Sequence, residues 1–399
     1  MMFAVIRYQI PNNWVSYDFV AVAQELTAAK AAVLALTAIP FQRSWADQLQ
    51  VVQLKREVAG TSRIEGAEFT EKELEAAISE SPGELHTRSQ RQAAAAVATY
   101  RWIAALPNDR PIDAQLICEI HGRLIAGADD DHCPPGKLRG PDENVTFGDP
   151  RHRGAEGGDG CNKAFTELCR AVLQEFRGHD SLIQALALHY HFAAMHPFLD
   201  GNGRTARALE ALVLQRTGLK DALFIAMSNY YYEEKPTYLA ALAEVRSRGH
   251  DLTPFVKFGL RGIEQQCQQL LTEITTNVRK ALFRNVMYDL FGRLRAPRKR
   301  VMAERHLEIL KLLLKIDSLT LDELTAMTEP KYHSLRNPFK ALIRDLNYLI
   351  RLKAIRVEKL DEGRYRFFAR LEWPTEITET DFFALVKQMP KAKTYGFLG

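Results

Sequence analysis

The stretch that decides the reading of this chain is His196-Pro197-Phe198-Leu199-Asp200-Gly201-Asn202-Gly203-Arg204-Thr205-Ala206-Arg207. It follows Ser181 to Met195, apolar nearly all round, as a helix buried in a bundle would be. It leads into a second helix, Arg204 to Thr217, stopped by Gly218 where a left-handed residue is wanted. Gly201-Asn202-Gly203 at the start of that helix can turn backbone N–H groups onto an anion, helped by the helix dipole. Arg204 and Arg207, three apart, share one helix face and can reach the same phosphates. Asp200 is a hard oxygen ligand, suited to Mg²⁺ shared with substrate phosphates. His196, with an ordinary pKa of about 6.5, suits a general base at neutral pH. Singly, a Gly-x-Gly is usually a turn and two such arginines a solvated face. In this order, within twelve residues, they point to phosphate chemistry.

These residues fit the signature H-P-F-x-[DE]-G-N-G-R-x-x-R of the Fic (filamentation induced by cyclic AMP) family at every specified position, and the chain resembles that family from about Trp45 to about Gly262. The resemblance implies an all-α fold: a Fic-type helical core with a small β-hairpin flap. It also implies a protein adenylyltransferase that moves AMP from ATP to a Ser, Thr or Tyr hydroxyl of a target protein, self-modification included. His196 would then deprotonate the hydroxyl and Asp200 would hold Mg²⁺. Gly201, Asn202 and Gly203 would bind the α- and β-phosphates, Arg204 the β side and Arg207 the γ-phosphate, with Phe198 anchoring the loop in the core. Related toxins that phosphorylate lack the Gly-Asn-Gly loop, so its presence favours nucleotidyl transfer.

A second match lies upstream, in Thr61-Ser62-Arg63-Ile64-Glu65-Gly66. It resembles the family's inhibitory motif [ST]-x-x-x-E-[GN]. Thr61, Glu65 and Gly66 would be the regulatory residues, with Glu65 pairing with Arg207. A carboxylate on that guanidinium competes with the γ-phosphate. Gly136 to Gly148 sits where the family carries its flap, which docks the target's backbone. Arg139, Val145 and Phe147 fit the flap pattern loosely, but Arg151-His152-Arg153-Gly154 replaces the usual Pro-rich stretch. Asn229-Tyr230-Tyr231-Tyr232 falls where relatives often line the adenine pocket, and reads equally well as an aromatic packing cluster. His189 and His191, two apart, lie on different helix faces and read as core.

The rest of the chain sets limits. It has 399 residues, 46% of them hydrophobic, with 53 Lys plus Arg against 49 Asp plus Glu. That excludes disorder, collagen and a disulfide-stapled scaffold as overall readings. Five scattered cysteines without a C-x-x-C favour a reducing compartment, and the N-terminus lacks the flanks of a signal peptide. The longest uncharged stretch, Ser181 to Leu199, carries three histidines and a proline that hydrocarbon tolerates poorly. A soluble, cytoplasmic protein without a membrane partner is expected.

Ala-rich Glu25 to Ala38 and Arg91 to Ala105 favour helix. Thr70-Glu71-Lys72-Glu73 reads as a capping box. Asp129 to Gly160 is rich in Gly and Pro, with a β-like run from Asn144 to Phe147. A long polar helix spans Leu260 to Leu294. Beyond it, helices over 304–314, 321–327 and 338–350 precede strands over 354–360 and 364–369, the order of a winged helix-turn-helix. Residues 293–372 carry 19 Lys plus Arg and 11 Asp plus Glu, a net of +8.

The expected division is an N-terminal helical region with the inhibitory helix (1–105), the Fic core (106–265), a connecting helix and linker (266–300), a winged-helix domain (301–372) and a tail (373–399). Two other functions use the same features. Glu65 could position a water so that the site removes AMP from a modified protein. Or the tail could bind DNA through Arg336, Lys340 and Arg344 on or beside a recognition helix, with the core sensing nucleotide. A homodimer fits the resemblance.

Overall fold

The computed structural model describes residues 6–39, 43–67, 70–79, 85–148, 150–219, 225–361 and 364–387. The chain divides into two units, Met1–Leu271 and Thr272–Gly399.

The first unit is built from helices α1 (Phe19–Ala38), α2 (Arg43–Ile64), α3 (Glu71–Ser79), α4 (Arg88–Ala105), α5 (Ala114–Ile125), α6 (Asp159–Leu173), α7 (Ser181–Met195), α8 (Asn202–Leu214), α9 (Met227–Glu233) and α10 (Lys235–Ser247). α11 (Thr253–Gly292) starts here, and the division between the units falls within it. Local chemistry sets the helix starts. Asp18 accepts from the backbone of Val20 and Ala21, and Thr70 and Glu73 form the expected capping box.

α7 and α8 form the centre. Of the fifteen residues of α7, twelve are buried, His189 and His191 among them. Their partners are internal: His189 meets Glu210 and the Tyr238 hydroxyl, and His191 Nε2 meets the Trp14 carbonyl at 2.6 Å. α8 ends in a wide turn in which Gly218 takes φ 103°, the left-handed residue the sequence called for. α1 is, by length and composition alone, apolar enough to cross a membrane; Val22, Leu26, Ala29, Val33 and Leu36 are buried within this unit.

The Gly/Pro-rich segment before α6 holds two short antiparallel strands, β2 (Thr146–Phe147) and β3 (His152–Arg153). A third strand was not anticipated. β1 (Ile6–Arg7) pairs in parallel with β3, Ile6 opposite His152 and Arg7 opposite Arg153. The flap is therefore a three-stranded sheet of order β1-β3-β2 rather than a lone hairpin. Arg151-His152-Arg153, where a Pro-rich stretch was missed, supplies its middle strand.

In the second unit α12 (Pro297–Ile316), β4 (Ser318–Thr320), α13 (Leu321–Tyr332), α14 (Pro338–Arg351), β5 (Ile355–Lys359) and β6 (Tyr365–Ala369) make three helices and an antiparallel sheet of order β4-β6-β5. β4 escaped the sequence reading because three residues carry no period. The core of this unit also takes in Phe283, Met287 and Phe291, from the expected connector. Trp373 and Phe382, from α15 (Trp373–Glu376) and α16 (Glu379–Lys387) in the expected tail, are fully buried in it. α14 is covered along 341–349, apart from half-buried Arg344. Its buried Asp345 accepts from Arg305 Nε at 2.7 Å and the Tyr332 hydroxyl at 2.8 Å. Burial pushes this carboxyl up, but His306 and Arg305 outweigh it and hold it at about 2.

Candidate active site

His196 caps α7 in the left-handed conformation, φ 52°, its N–H bonding the Phe192 carbonyl at 3.1 Å. A non-glycine residue there is uncommon and turns the chain sharply from α7 toward the motif loop. Its Nδ1 lies 2.6 Å from the Ala193 carbonyl, which can only accept. Nδ1 must therefore carry the proton, leaving the Nε2 lone pair free. Burial pushes the imidazole pKa down to about 4, with Arg139 and Arg246 adding to that against Ala193 and Glu65. The ring is neutral at physiological pH, as a base must be. One face of it stacks on Phe147 of β2, centroids 3.8 Å apart.

The loop after His196 is pinned from below. Phe198 is fully buried and stacks on His121 at 3.6 Å. Asn202 bonds both backbone groups of Phe198, accepting from its N–H at 2.9 Å and donating to its carbonyl at 2.8 Å. Gly201 begins α8 at φ 71°, and a Cβ there would meet Ile125 Cδ1 at 2.7 Å. Only glycine fits. The loop lines a cavity of about 710 Å³ together with His196, Asp200, Arg207 and Glu65, large enough for a nucleotide; the Gly201 N–H itself bonds Asp200 Oδ1 at 2.5 Å.

Arg207 lies at the wall of this cavity with its side chain 2% exposed. Its Nη2 donates to Glu65 Oε1 at 2.5 Å and its Nε to Thr61 Oγ1 at 2.8 Å. Burial works against the guanidinium charge, but Glu65 outweighs it and fixes the proton more firmly than usual. Gly203 makes this pairing possible: a Cβ there would fall 2.5 Å from Glu65 Oε1 and 3.1 Å from Arg207 Nη1.

Glu65 is held at the end of α2 by a Schellman cap. Ala67 N–H bonds the Ser62 carbonyl at 3.0 Å and Gly66 N–H bonds that of Arg63 at 3.1 Å, with Gly66 at φ 87°. Further back, Gly60 lies against the Ser228 backbone, where a Cβ would sit 2.4 Å away. Buried Glu57 accepts from Ser228 N–H and the Tyr100 hydroxyl, each at 2.8 Å. Lys235 bonds the Ile64 carbonyl at 2.8 Å.

Arg204 points elsewhere. It is buried and absent from the cavity wall. Its Nη1 donates to buried Asp129 at 2.6 Å, and its Nη2 lies 3.5 Å from Asp200. Asp129 also receives Arg88 and Gln92, so its oxygens are fully engaged. Asp200 Oδ2 meets His132 Nε2 at 3.0 Å. Burial raises the Asp200 carboxyl, but His132, the Gly201 N–H and Arg204 together hold it below the usual range.

The Mg²⁺ expected at Asp200 is consistent with these residues. Asp200 is an ionised carboxylate with a 38% exposed side chain on the cavity wall, and Mg²⁺ takes one or two carboxylates plus substrate oxygens. Asp129 and His132 are close enough to join a cation with it, but Asp129 is spoken for and imidazole suits softer metals.

Of the two readings left open for Asn229 to Tyr232, the structure has the aromatic packing cluster. None of Asn229 to Tyr232 lines the cavity; Tyr230 and Tyr231 pack against Phe258 and Tyr238. The cavity's aromatic groups are Phe147 and Tyr238. Arg139, seen as part of a loose flap pattern, proves to be the fastener of the site. Its guanidinium donates to the carbonyls of His196 at 2.7 Å, Glu143 at 2.6 Å and Ala155 at 2.6 Å. No sequence signal distinguishes such an arginine from a solvated one.

Residues 111–214 match the Fic/DOC family. The protein adenylyltransferases fic-1 of Caenorhabditis briggsae and Caenorhabditis elegans are each 34% identical over 98 residues, 25% of this chain and 18% of theirs. The protein adenylyltransferase Fic of Nematostella vectensis is 33% identical over 87 residues, 22% of this chain and 18% of its own. The chain thus spans 18% of the length of these curated relatives. Among solved structures, a Fic family protein from Desulfovibrio desulfuricans superposes with a TM-score of 0.56 at 18% identity, over 91% of this chain and 98% of that one. Residues 134–508 of Caenorhabditis elegans Fic-1 give 0.53 at 19% identity, over 65% and 75%. These similarities show a shared fold.

Proposed function

We propose that this chain is a protein adenylyltransferase that moves AMP from ATP to a Ser, Thr or Tyr hydroxyl, and that Glu65 restrains it. The observation that carries the reading is the single cavity in which His196 Nε2, the Gly201–Gly203 backbone and Arg207 converge, with the Glu65 carboxylate on the Arg207 guanidinium. The α- and β-phosphates would lie on the loop N–H groups and the γ-phosphate on Arg207 once Glu65 yields it. His196 Nε2 takes the proton of the target hydroxyl, whose oxygen bonds to the α-phosphorus as the bond to the β-phosphate oxygen breaks and pyrophosphate leaves. Asp200 would hold Mg²⁺, which neutralises phosphate charge when bound. Arg204 serves the loop from behind, between Asp129 and Asp200.

Transfer of label from α-labelled ATP onto protein in cell lysate tests this, with wild type, Glu65→Gly and Glu65→Gly/His196→Ala side by side. Strong labelling by Glu65→Gly alone is the expected result; none in any variant overturns it. AMP removal is a second reading, favoured by the 41% exposed Glu65 side chain facing the same cavity as His196. Loss of label from a pre-labelled protein on addition of wild type would establish it.

For residues 301–372 we infer a winged-helix module, supported by the order of three helices and the β4-β6-β5 sheet. Exposed Arg336 and Lys340 at the start of α14 are its points for a DNA backbone, while Arg344 is half covered. Binding whose logarithm falls with that of salt would support that use. Five free cysteines support a reducing, cytoplasmic setting. A homodimer rests on the resemblance, and light scattering on the full chain decides it.

A further inference from the structure

Two cations that the motif does not use also line the cavity, Lys235 and Arg246, both on α10. Lys235 is engaged by the Ile64 carbonyl, and Arg246 lies beside the flap. Its guanidinium stands 5.6 Å from the centroid of Phe147, and its Nη2 is 3.4 Å from where a Cβ on Gly148 would lie. Its Nε is buried without a hydrogen-bond partner, and no carboxylate among the described residues pairs with it. Burial lowers its pKa, against the weak opposing influence of Tyr190 and Tyr238.

The other arginines of the site differ. Arg207 has Glu65, Arg204 has Asp129, and Arg139 has three carbonyls. A half-buried guanidinium whose Nε has no acceptor favours an incoming anion. Its position says which anion. Gly201–Gly203 and Arg207 are the phosphate-binding groups, whereas Arg246 lies beside Phe147 and Gly148 of the flap, next to the Phe147 ring that stacks on His196. A target segment docked along the flap would bring its hydroxyl to His196 past that guanidinium.

Resting on the transfer reading above, we propose that Arg246 is a specificity-determining residue for the protein substrate. It pairs with an Asp or Glu close to the modified hydroxyl, so the substrate class is a Ser, Thr or Tyr in an acidic segment. In an extended segment alongside β2, residues two apart share a face, which puts the acidic residue two positions from the hydroxyl.

The test uses the full chain carrying Glu65→Gly and three peptide sets, alike except for Glu, Ala or Lys two positions either side of a central Ser, Thr or Tyr. Labelling from α-labelled ATP is measured, together with each set's power to compete against self-labelling. With Arg246, Glu peptides should be favoured over Ala peptides by about tenfold or more. Arg246→Glu should reverse the order toward Lys peptides with KM for ATP unchanged, and Arg246→Gln should flatten it. Labelling and competition indifferent to flanking charge overturn the proposal. So does a tenfold rise in KM for ATP in Arg246→Gln with the peptide order intact, which would place Arg246 on the nucleotide. No labelling of any peptide or of the chain itself sinks the transfer reading, and this proposal with it.

Discussion

Glu65 reaches Arg207 across 142 residues of sequence with a single 2.5 Å contact, and the geometry of that contact is set by the residue after it. Gly66, in the left-handed conformation, ends α2 so that the Glu65 side chain lines the cavity. A Cβ at Gly66 would touch nothing within 4 Å, so Gly66→Ala tests backbone strain alone. It should cost about 1 kcal/mol, loosen the turn, and raise label transfer part of the way toward the Glu65→Gly level. A thermal melt and a labelling time course on the same preparation check it; labelling unchanged alongside a lowered melting temperature would show that the turn does not position Glu65.

Gly203→Ala should behave in the opposite way. Its Cβ would displace both Glu65 and Arg207, so restraint and phosphate binding are lost together. ATP affinity should fall by about tenfold or more, and adding Glu65→Gly should not restore it. Calorimetric titration with a non-hydrolysable ATP analogue reads this directly.

The pH profile of transfer carries its own sign. The His196 pKa is depressed to about 4, so its base form is present throughout the neutral range. Transfer should stay flat as pH falls from 8 to about 6 and drop only toward pH 4, whereas an unperturbed imidazole would lose half its activity near pH 6.5. An acid limb with a midpoint near 6.5 in Glu65→Gly would contradict the environment described for the ring.

Arg139→Ala leaves three carbonyls without their donor, one of them that of His196 itself. At about 1 kcal/mol or more each, the loss should be about 3 kcal/mol or more in stability. Arg139→Lys, with a single ammonium in place of a planar fork, should recover only part of it. Denaturant unfolding gives the energy, and any folded fraction should show a lower kcat with little change in KM for ATP, because it is the flap and base that move.

How much of this could be read in advance follows from range. Phe198, Asn202 and Gly201 interact within a few residues of one another or demand a backbone conformation, so the motif announces them. Ser181 to Met195 announces itself by composition. The Glu65–Arg207 pair was legible only through a resemblance, because nothing local in Thr61 to Gly66 says which cation its carboxylate meets. Asp129 under Arg204, β1 beside β3, and Trp373 against Phe283 join residues far apart in sequence, and neither period nor propensity encodes such a meeting. Tyr230 and Tyr231 show the converse limit: an aromatic run has the same composition whether it faces a ligand or the core.

The parallel pairing of Ile6 with His152 has a consequence for how the molecule assembles. Those two residues bracket α1 through α5, so the third flap strand can dock only after a long loop has closed, and the entropy of that closure must be met before its few hydrogen bonds form. The base His196 and its helix can be in place earlier, from contacts nearer in sequence. The flap should therefore be among the last parts to gain protection from amide exchange during refolding, and the first to open when the native chain fluctuates.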